Sequence, residues 1–410
     1  MKAGWQKSTL GDVLDVLRNG VNCKQDKSGI GEKISRIESI SGAWFDIDKV
    51  GYAELSEKDK PRYILKRGDI LFSHINSPVH VGKTAIFDSD EPVYHGVNLL
   101  LMRPKELVTS DYLDHALKYL FQCGYWRGVC KQSVNQASVN QQDISKVEIN
   151  FPKSIPEQQR IVGILDEAFD GIATAKANAE KNIQNARALF ESHLQSVFDQ
   201  RGDGWDRVTL ETLLERGWIE SHLDGNHGGD YPRKDEFISE GVPYISANCL
   251  DDEELDMSRA KYLSPARAAL LRKGIAKDRD VLFAHNATVG PVAILHTDEE
   301  KVILSTSLTY YRCNHSYILP EYLAHYMRSF GFKSQYLQIM GQSTRNQVPI
   351  TKQREFFHVI PPLDEQKMII GQLNGFFESG RQLVTIYQQK LAALDALKKS
   401  LLDQAFTGQL

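Results

Sequence analysis

Side chains suited to hydrogen bonding with nucleic-acid bases occupy matching places in the two halves of this chain. The first half contains Lys131-Gln132-Ser133-Val134-Asn135-Gln136, and the second contains Gln342-Ser343-Thr344-Arg345-Asn346-Gln347. Asn and Gln each offer a donor and an acceptor, which is the pattern that adenine requires, whereas the donors of Arg suit guanine. The composition of these segments favours contacts with base edges.

Three further segments add groups of the same kind: Ser73-His74-Ile75-Asn76-Ser77, its counterpart around His285, and a glycine-flanked loop with a basic end after Asp224. Such residues also cap turns and bond to the backbone, so that alternative stays open for any single one. The candidate DNA-contacting residues are Ser73, His74, Asn76, Lys83, Lys131, Gln132, Asn135, Gln136, Asn226, His227, Tyr231, Arg233, Lys234, His285, Asn286, Thr288, Ser343, Thr344, Arg345, Asn346 and Gln347.

Catalytic and metal-binding spacings are missing from the sequence. The five cysteines contain no Cys-x-x-Cys pair, and no set of residues can be assembled into an active site by spacing. Glu299 and Lys301 suggest a nuclease pair but have no Pro-Asp partner upstream. We therefore expect no catalytic residue, no metal and no cofactor in this chain. Two alternatives are a duplicated metal-dependent nuclease that uses Glu299 and an adaptor that binds only protein.

The overall charge is slightly acidic, with 49 Lys and Arg against 53 Asp and Glu and a net charge of −4. A protein that bound nucleic acid through bulk charge would be strongly basic, so positive charge must be local or come from a partner. No apolar run reaches the roughly 20 residues that cross a bilayer, and the N-terminus lacks the pattern of a signal peptide. We expect a cytoplasmic protein with no membrane contact.

An internal repeat covers the chain. Gly4-Trp5 and Thr9-Leu10 recur at Gly204-Trp205 and Thr209-Leu210, and Asp69-Ile70-Leu71-Phe72 corresponds to Asp280-Val281-Leu282-Phe283. From residue 157 onward, identical residues recur at a constant distance of 208 positions. A constant register is what a long helix requires, because one inserted residue rotates all later side chains by about 100°. The repeat predicts two half-proteins, each a globular part followed by a long helix.

Apolar residues in both helical segments follow spacings of three and four, which is typical of a coiled-coil seam. Because a globular segment separates the two helices, we expect them to pack as an antiparallel pair. The alternative is that each helix packs only on its own domain. The residues predicted to form the seam are Ile161, Leu165, Ile172, Leu189, Ile369, Leu373, Leu383, Leu394 and Leu401.

Short β-branched runs and glycine-containing turns in the globular parts indicate strands, and each part contains one helical pattern, near residues 110–122 and 320–330. The predicted fold class is α+β: two globular α/β domains with internal pseudo-two-fold symmetry, joined by two long helices that form an antiparallel coiled coil. The predicted boundaries are 1–155, 156–200, 201–362 and 363–410 for domain 1, helix 1, domain 2 and helix 2.

The chain resembles the specificity subunit of type I restriction-modification systems over its full length. The residues that carry the resemblance are the Gly-Trp starts, Lys66-Arg67-Gly68-Asp69-Ile70-Leu71-Phe72, and the helix entrances Ile155-Pro156-Glu157-Gln158 and Pro362-Leu363-Asp364-Glu365-Gln366. The ending Ser400-Leu401-Leu402-Asp403-Gln404-Ala405-Phe406-Thr407-Gly408 also matches.

This resemblance implies a non-enzymatic DNA-recognition subunit. Each domain would bind one half of a bipartite, asymmetric site in double-stranded DNA, and the helices would set the spacing. Two methyltransferase subunits and two restriction subunits would assemble with it and hold S-adenosylmethionine, ATP and Mg²⁺. The polar loops differ between the two halves, so each half-site would have its own sequence.

Overall fold

Two compact units make up the chain. The computed structural model describes residues 2–133, 136–199, 202, 204–251, 254–341 and 346–410. One unit contains Met1–Glu180 and Gln388–Leu410, and the other contains Lys181–Tyr387. Each unit therefore combines one globular domain with parts of both long helices.

The first unit is built from short strands, and its helices lie mainly towards the end of the domain. The strands are β1 (Trp5–Thr9), β2 (Leu14–Asn19), β3 (Glu32–Ile34), β4 (Gly51–Ala53), β5 (Ile70–Phe72), β6 (Ile75–Asn76), β7 (Thr84–Ile86), β8 (Val93–Tyr94), β9 (Leu100–Pro104), β10 (Lys131–Ser133), β11 (Gln136–Ser138) and β12 (Glu148–Pro152). The helices are α1 (Leu10–Val13), α2 (Lys60–Tyr63), α3 (Ser110–Gln122), α4 (Tyr125–Val129), α5 (Gln141–Ser145) and the long α6 (Ile155–Asp199).

The second unit repeats this arrangement with additional strands. They are β13 (Asp206–Thr209), β14 (Ile219–Asp224), β15 (Phe237–Ile238), β16 (Val242–Ile245), β17 (Leu250–Asp251), β18 (Glu254–Leu255), β19 (Lys261–Leu263), β20 (Ile275–Ala276), β21 (Val281–Asn286), β22 (Thr288–Ile294), β23 (Val302–Leu304), β24 (Leu308–Cys313) and β25 (Phe357–Ile360). The helices are α7 (Leu210–Glu215), α8 (Pro265–Ala269), α9 (Pro320–Arg328), α10 (Phe330–Met340), α11 (Ile350–Gln353) and the long α12 (Leu363–Thr407).

Both domains have the same central topology. The first has an antiparallel sheet in the order β2-β9-β5-β7, and the second has the order β14-β24-β21-β22. Each domain also contains one parallel strand pair, β3 with β8 and β16 with β23. In each, the first and last strands of the domain pair with one another, β1 with β12 and β13 with β25. The predicted pair of related α+β domains is confirmed.

The same buried ion pair occurs inside each of the two domains. In the first domain, Arg103 donates to both carboxylate oxygens of Asp69 at 2.7 Å. Arg312 and Asp280 form the same bidentate pair in the second domain, at 2.9 and 2.7 Å. Asp69 and Asp280 are buried, so the bidentate geometry satisfies charges that would otherwise be costly. The two domains therefore share their internal contacts as well as their strand order.

The long helices complete the core of each unit. In the first unit, Ile161 and Leu165 of α6 are buried with Leu402 and Phe406 of α12. In the second, Leu194 and Phe198 of α6 are buried with Ile369 and Leu373 of α12. Burial of these side chains is the main contribution that the helices make to each core.

Within each unit, α6 and α12 run in opposite directions. In the first unit, Lys176 forms a 2.6 Å ion pair with Asp395, and Lys398 lies 4.6 Å from the centre of the Phe169 ring. In the second, the rings of Phe190 and Phe377 are 5.2 Å apart. In the repeat, Phe169 corresponds to Phe377 and Phe190 corresponds to Lys398. The contacts Phe169–Lys398 and Phe377–Phe190 therefore join the same two repeat positions with the two helices exchanged, as pseudo-two-fold symmetry requires. The predicted antiparallel helix pair is confirmed.

The seam predicted from spacing requires correction at two positions. Ile161, Leu165, Ile172, Ile369 and Leu373 are buried, and Leu394 and Leu401 are partly exposed. In contrast, Leu189 is 60% exposed and Leu383 is 45% exposed, so neither belongs to the seam. A straight helix drifts by about 20° per heptad from a strict seven-residue pattern, so residues seven apart do not stay on one face. The buried face of each helix also includes the residues that pack in the domain cores. No helix in the described residues is long and apolar enough to span a membrane.

Candidate nucleic-acid interface

One three-stranded sheet brings together the polar segments predicted in the first domain. β11 pairs with β10 on one side and with β6 on the other. Lys131 and Gln136 are exposed on this sheet, Gln132 lies on β10, and Asn76 is opposite Ala137 on β6. Asn135 lies outside the described residues. Segments that are more than fifty residues apart in sequence therefore form one polar edge.

The second domain joins its corresponding segments through a tight turn. Asn286 ends β21 and forms an antiparallel bridge with Gln347. The amide of Asn346 donates to the Ala287 carbonyl at 2.7 Å, and Ala287 adopts a φ of 65°. Thr288 and Asn346 are exposed beside this turn. Ser343, Thr344 and Arg345 lie outside the described residues.

The glycine-flanked loop of the second domain presents a histidine, an aromatic ring and two cations. His227 Nε2 lies 2.6 Å from Asp224 Oδ2, and the imidazole is about half exposed. Tyr231, Arg233 and Lys234 are exposed farther along the loop. The side chain of Arg267 anchors the loop, since it donates to the Glu236 carboxylate and to the Asp230 carbonyl. These groups suit contacts with phosphates and bases.

Three candidate side chains are buried and bonded within the protein, so we withdraw them as DNA contacts. The Asn226 amide donates to the Lys273 carbonyl at 2.6 Å and accepts from the Lys273 N–H at 3.2 Å. His285 Nδ1 is 2.9 Å from the Val348 carbonyl, and the Ser73 hydroxyl accepts from Asn76. These polar residues stabilise the loops, which is the alternative that the sequence left open.

Two further candidates in the first domain also make internal contacts while remaining near the polar edge. Lys83 is half-buried, and its ammonium donates to the Ser41 carbonyl at 3.2 Å. His74 is buried, and its Nε2 lies 3.3 Å from the Asn19 amide nitrogen. Burial lowers the pKa of His74 to about 4, so the imidazole is neutral at pH 7.

Histidines at the corresponding edge of the second domain are also neutral. Burial is the largest cause that lowers the pKa of His222, to about 3. Burial likewise lowers the pKa of His285, and Asp224 and His227 lie close enough to influence it. The described residues contain no group of three or more His, Cys, Asp or Glu placed to hold a metal ion. The buried histidines of these edges therefore offer hydrogen bonds as neutral groups, and Lys131, Arg233 and Lys234 supply exposed positive charge.

Comparison with known proteins gives a consistent result. Residues 2–185 match the family model described as the type I restriction modification DNA specificity domain. The chain is 28% identical over 423 residues to a Methanocaldococcus jannaschii protein that carries the name "Putative type I restriction enzyme MjaX specificity subunit", and the match covers 99% of this chain and 93% of that protein. The chain is therefore similar to type I DNA specificity subunits over almost its full length.

Another relative and two solved structures extend the likeness. The EcoKI specificity subunit of Escherichia coli is 28% identical over 202 residues, which cover 47% of this chain and 41% of that protein. The HsdS subunit from Thermoanaerobacter tengcongensis gives a TM-score of 0.60 at 19% identity, covering 100% of this chain and 98% of that one. A chain from a structure of type I R-M complex assembly and conformational transition gives a TM-score of 0.78 at 18% identity, covering 100% and 99%. At these identities the structures show the fold.

The relatives that these comparisons name are specificity subunits. Glu299, on which the nuclease alternative depends, lies in an exposed turn, and its N–H donates to the Thr297 hydroxyl at 3.1 Å.

Two polar residues at the edge of the first domain were missed by sequence reasoning. Asn19 ends β2 and contacts His74, and Gln141 begins α5 and donates to the Asn19 amide oxygen. The sequence did contain a signal, because Asn19-Gly20 corresponds to Asp224-Gly225 in the second half of the chain. Asn19 stands in no polar run, and the run Asn140-Gln141-Gln142-Asp143 that contains Gln141 was not among the segments singled out.

Proposed function

We propose that this chain selects the DNA target of a type I restriction-modification complex, with each domain binding one half of a bipartite, asymmetric site. The observation that carries the proposal is the pairing of equivalent frames with unlike polar edges. The Arg103–Asp69 and Arg312–Asp280 pairs are equivalent in the two domains. The polar edges differ, since the first domain carries Lys131 and Gln136 and the second carries Asn286, Thr288 and Asn346. Equal frames with different edges favour two half-sites of different sequence.

The two long helices are proposed to set the number of base pairs between the half-sites. α6 and α12 are each continuous over 45 residues. At 1.5 Å per residue, each helix is roughly 68 Å long, which is long enough to act as a stiff spacer.

Partner subunits are proposed to supply the chemistry and part of the DNA affinity. Two methyltransferase subunits would bring S-adenosylmethionine, and two restriction subunits would bring ATP and Mg²⁺. Phosphate contacts dominate affinity for DNA, and this chain has a net charge of −4, so cationic surfaces on the methyltransferases would be needed.

Selection from random duplexes tests the proposal. The chain, assembled with the methyltransferase subunits, is incubated with a randomised duplex pool, and the retained DNA is sequenced. We expect one bipartite, asymmetric sequence with a fixed spacer. Equal retention of all sequences would support the protein-only adaptor, and cleavage by the isolated chain with Mg²⁺, lost in Glu299→Ala, would support the nuclease.

Domain exchange gives the matched control for independent recognition. Residues 201–362 are replaced by the equivalent domain of another family member, and the selection is repeated. We expect one half-site to change while the other half-site stays the same. A change in both halves would contradict independent recognition by the two domains.

Removal of matched heptads tests the spacer. Residues 177–183 and 385–391 are related by the repeat distance of 208, so deleting both preserves the register of each helix on either side. Seven residues at 1.5 Å correspond to about 10 Å, or roughly three base pairs of 3.4 Å. We expect a selected spacer about three base pairs shorter with both half-sites unchanged. An unchanged spacer would contradict the helices as the element that sets the distance.

A further inference from the structure

The two repeats provide an internal comparison of the residue that ends the first edge strand of each central sheet. Asn19 ends β2 opposite Leu100, and Asp224 ends β14 opposite Thr309. Both strands carry an irregularity at the same place, between Leu14 and Val16 and between Ile219 and Ser221. Asn19 and Asp224 are therefore equivalent positions in the fold.

The backbone around this position is constrained in the same way in both repeats. A Cβ on Gly20 would lie 2.3 Å from the His95 carbonyl oxygen, and a Cβ on Gly225 would lie 2.3 Å from the Ser305 carbonyl carbon. Only glycine fits such close approaches of backbone to backbone. The backbone path is thus constrained in the same way in both domains, but the side chain before the glycine differs. A position that determines specificity requires this combination of a fixed backbone and a variable side chain.

In the first domain, Asn19 lies on an open cleft of about 470 Å³ whose lining includes the apolar residues Ile75 and Val139. The cleft is bordered by His74, by Ser138 at the end of β11, and by the amide side chains of Asn140, Gln141 and Gln142. It adjoins the sheet of β6, β11 and β10, whose exposed residues are candidates for DNA contact. Asn19 is exposed at this cleft, so a base edge can reach its amide.

Two hydrogen bonds fix the orientation of the Asn19 amide. Gln141 Nε2 donates to Asn19 Oδ1, and Asn19 Nδ2 lies 3.3 Å from His74 Nε2. An amide nitrogen only donates, so His74 Nε2 is the acceptor. Because burial lowers the pKa of His74 to about 4, this acceptor remains available at pH 7.

After these two bonds, Asn19 retains one N–H and one lone pair of its oxygen. Adenine presents the N7 acceptor beside the N6 donor in the major groove, which matches this pair, whereas guanine presents two acceptors. We propose that Asn19 recognises an adenine in the first half-site through a bidentate contact from this cleft. The inference rests on the proposed DNA-recognition function and adds to it the base and the residue.

The equivalent position in the second domain offers different chemistry. The Asp224 carboxylate is 11% exposed and is 2.6 Å from His227 Nε2, and His227 is 54% exposed. The group presented to DNA there is an imidazole held by a carboxylate. The second half-site therefore has no matching preference for adenine from this position.

The test compares base preferences of Asn19→Asp and Asn19→Ala with those of the unmodified chain, each assembled with the methyltransferase subunits and selected against randomised duplexes. For Asn19→Ala we expect the preference for adenine at one position of the first half-site to fall roughly 5- to 150-fold, with the second half-site unchanged. Asn19→Asp has acceptors only, so the preference at that position should move towards cytosine, whose N4 donates.

The matched control is Asn150→Ala, which removes an exposed asparagine of the same domain away from the cleft and should leave every preference unchanged. Thermal unfolding of each variant separates loss of folding from loss of recognition, and Asn19→Ser supplies a second small variant if Asn19→Ala unfolds. An unchanged base preference at all positions, or a uniform loss of affinity for all sequences, would overturn the role of Asn19. If the unmodified complex selects no bipartite sequence, the proposed function fails instead.

Discussion

A single buried glutamine at the start of each long helix satisfies three backbone groups of the preceding segments. Gln158 accepts from the Thr109 N–H at 2.9 Å and donates to the Leu107 and Pro152 carbonyls at 3.0 and 2.9 Å. Gln366 makes the same three contacts in the second domain. Each glutamine thereby joins the loop before a domain helix to the entrance of a long helix.

Replacing Gln158 by leucine should lower the free energy of unfolding by about 3 kcal/mol, because buried backbone donors and acceptors would lose their partners. Urea unfolding at neutral pH measures the change. The neighbouring exposed Gln159 provides the control, and Gln159→Leu should change the stability by less than about 0.5 kcal/mol. Equal stabilities of the two variants would contradict the role of the Gln158 contacts.

The repeats differ at a second residue pair, which makes a pH prediction possible. His115 Nε2 is 2.9 Å from the Asp166 carboxylate, whereas His325 Nε2 is 2.9 Å from the Asn374 amide oxygen. Burial lowers the pKa of His325 to about 4. Above the unfolded value of about 6.5 His325 is neutral in both states, and between pH 6.5 and 4 the unfolded state binds more protons. His325 therefore lowers stability as the pH falls through this range.

Asn374→Asp should raise the pKa of His325, because a carboxylate favours the charged imidazole. Histidine proton shifts in an NMR titration measure it. The loss of stability between pH 6.5 and 4 should become smaller in this variant. Asn374→Ala removes an acceptor that raises the pKa, so it should lower the pKa further, and a rise in both variants would contradict this account.

Residue types at the candidate DNA-contacting edges could be predicted from sequence, but their exposure could not. Asn226 and His285 have the chemistry of base contacts, yet the backbone of Lys273 and the carbonyl of Val348 engage them. These partners lie 47 and 63 residues away, so only the folded chain reveals them. Asn19 was missed for a related reason, because its hydrogen-bond partners His74 and Gln141 are also distant in sequence.

At the scale of elements, the two long helices and their antiparallel direction were predicted from the sequence, while their buried faces were predicted only in part. The constant repeat distance indicated both helices, which begin at Ile155 and Leu363. Their buried faces depend on the domain cores as well as on the facing helix. This is why Leu402 is buried while Leu189 and Leu383 are exposed.

Paired leucine substitutions distinguish the buried and exposed faces. Leu165→Ala and Leu373→Ala, at fully buried positions, should each lower the free energy of unfolding by about 2–5 kcal/mol. Leu189→Ala and Leu383→Ala should each cost less than about 0.5 kcal/mol. Chemical denaturation followed by circular dichroism gives all four values, and a large loss for Leu189→Ala would place it in a packed interface.

At the scale of the whole molecule, each domain core is completed by the end of a long helix. Phe406 at the end of α12 packs on Tyr112 and Tyr119, with ring centres 5.3 and 5.4 Å apart. Phe198 at the end of α6 packs on Tyr322 and Tyr326 at 5.8 and 5.5 Å. The repeat in the sequence revealed two copies, but it did not reveal that the first domain packs with the last helical residues.

Phe406→Ala should therefore destabilise the first unit by about 3–5 kcal/mol, and Phe198→Ala should destabilise the second by a similar amount. Hydrogen exchange measured by mass spectrometry resolves the two units. Faster exchange should be confined to residues 2–133 and 136–180 with 388–410 in the first variant, and to described residues between 181 and 387 in the second. Faster exchange in the opposite unit would contradict this pairing of helix ends and cores.

The division of the chain also determines the order in which the units can fold during translation. The second unit is continuous from Lys181 to Tyr387, whereas the first needs Gln388–Leu410 as well as Met1–Glu180. At 5–20 residues per second, the ribosome takes about 10–40 s to pass from the first part of that unit to its last. Until then Ile161 and Leu165 lack the cover of Leu402 and Phe406. The nascent first domain thus exposes part of its apolar core until the last residues of the chain have been synthesised.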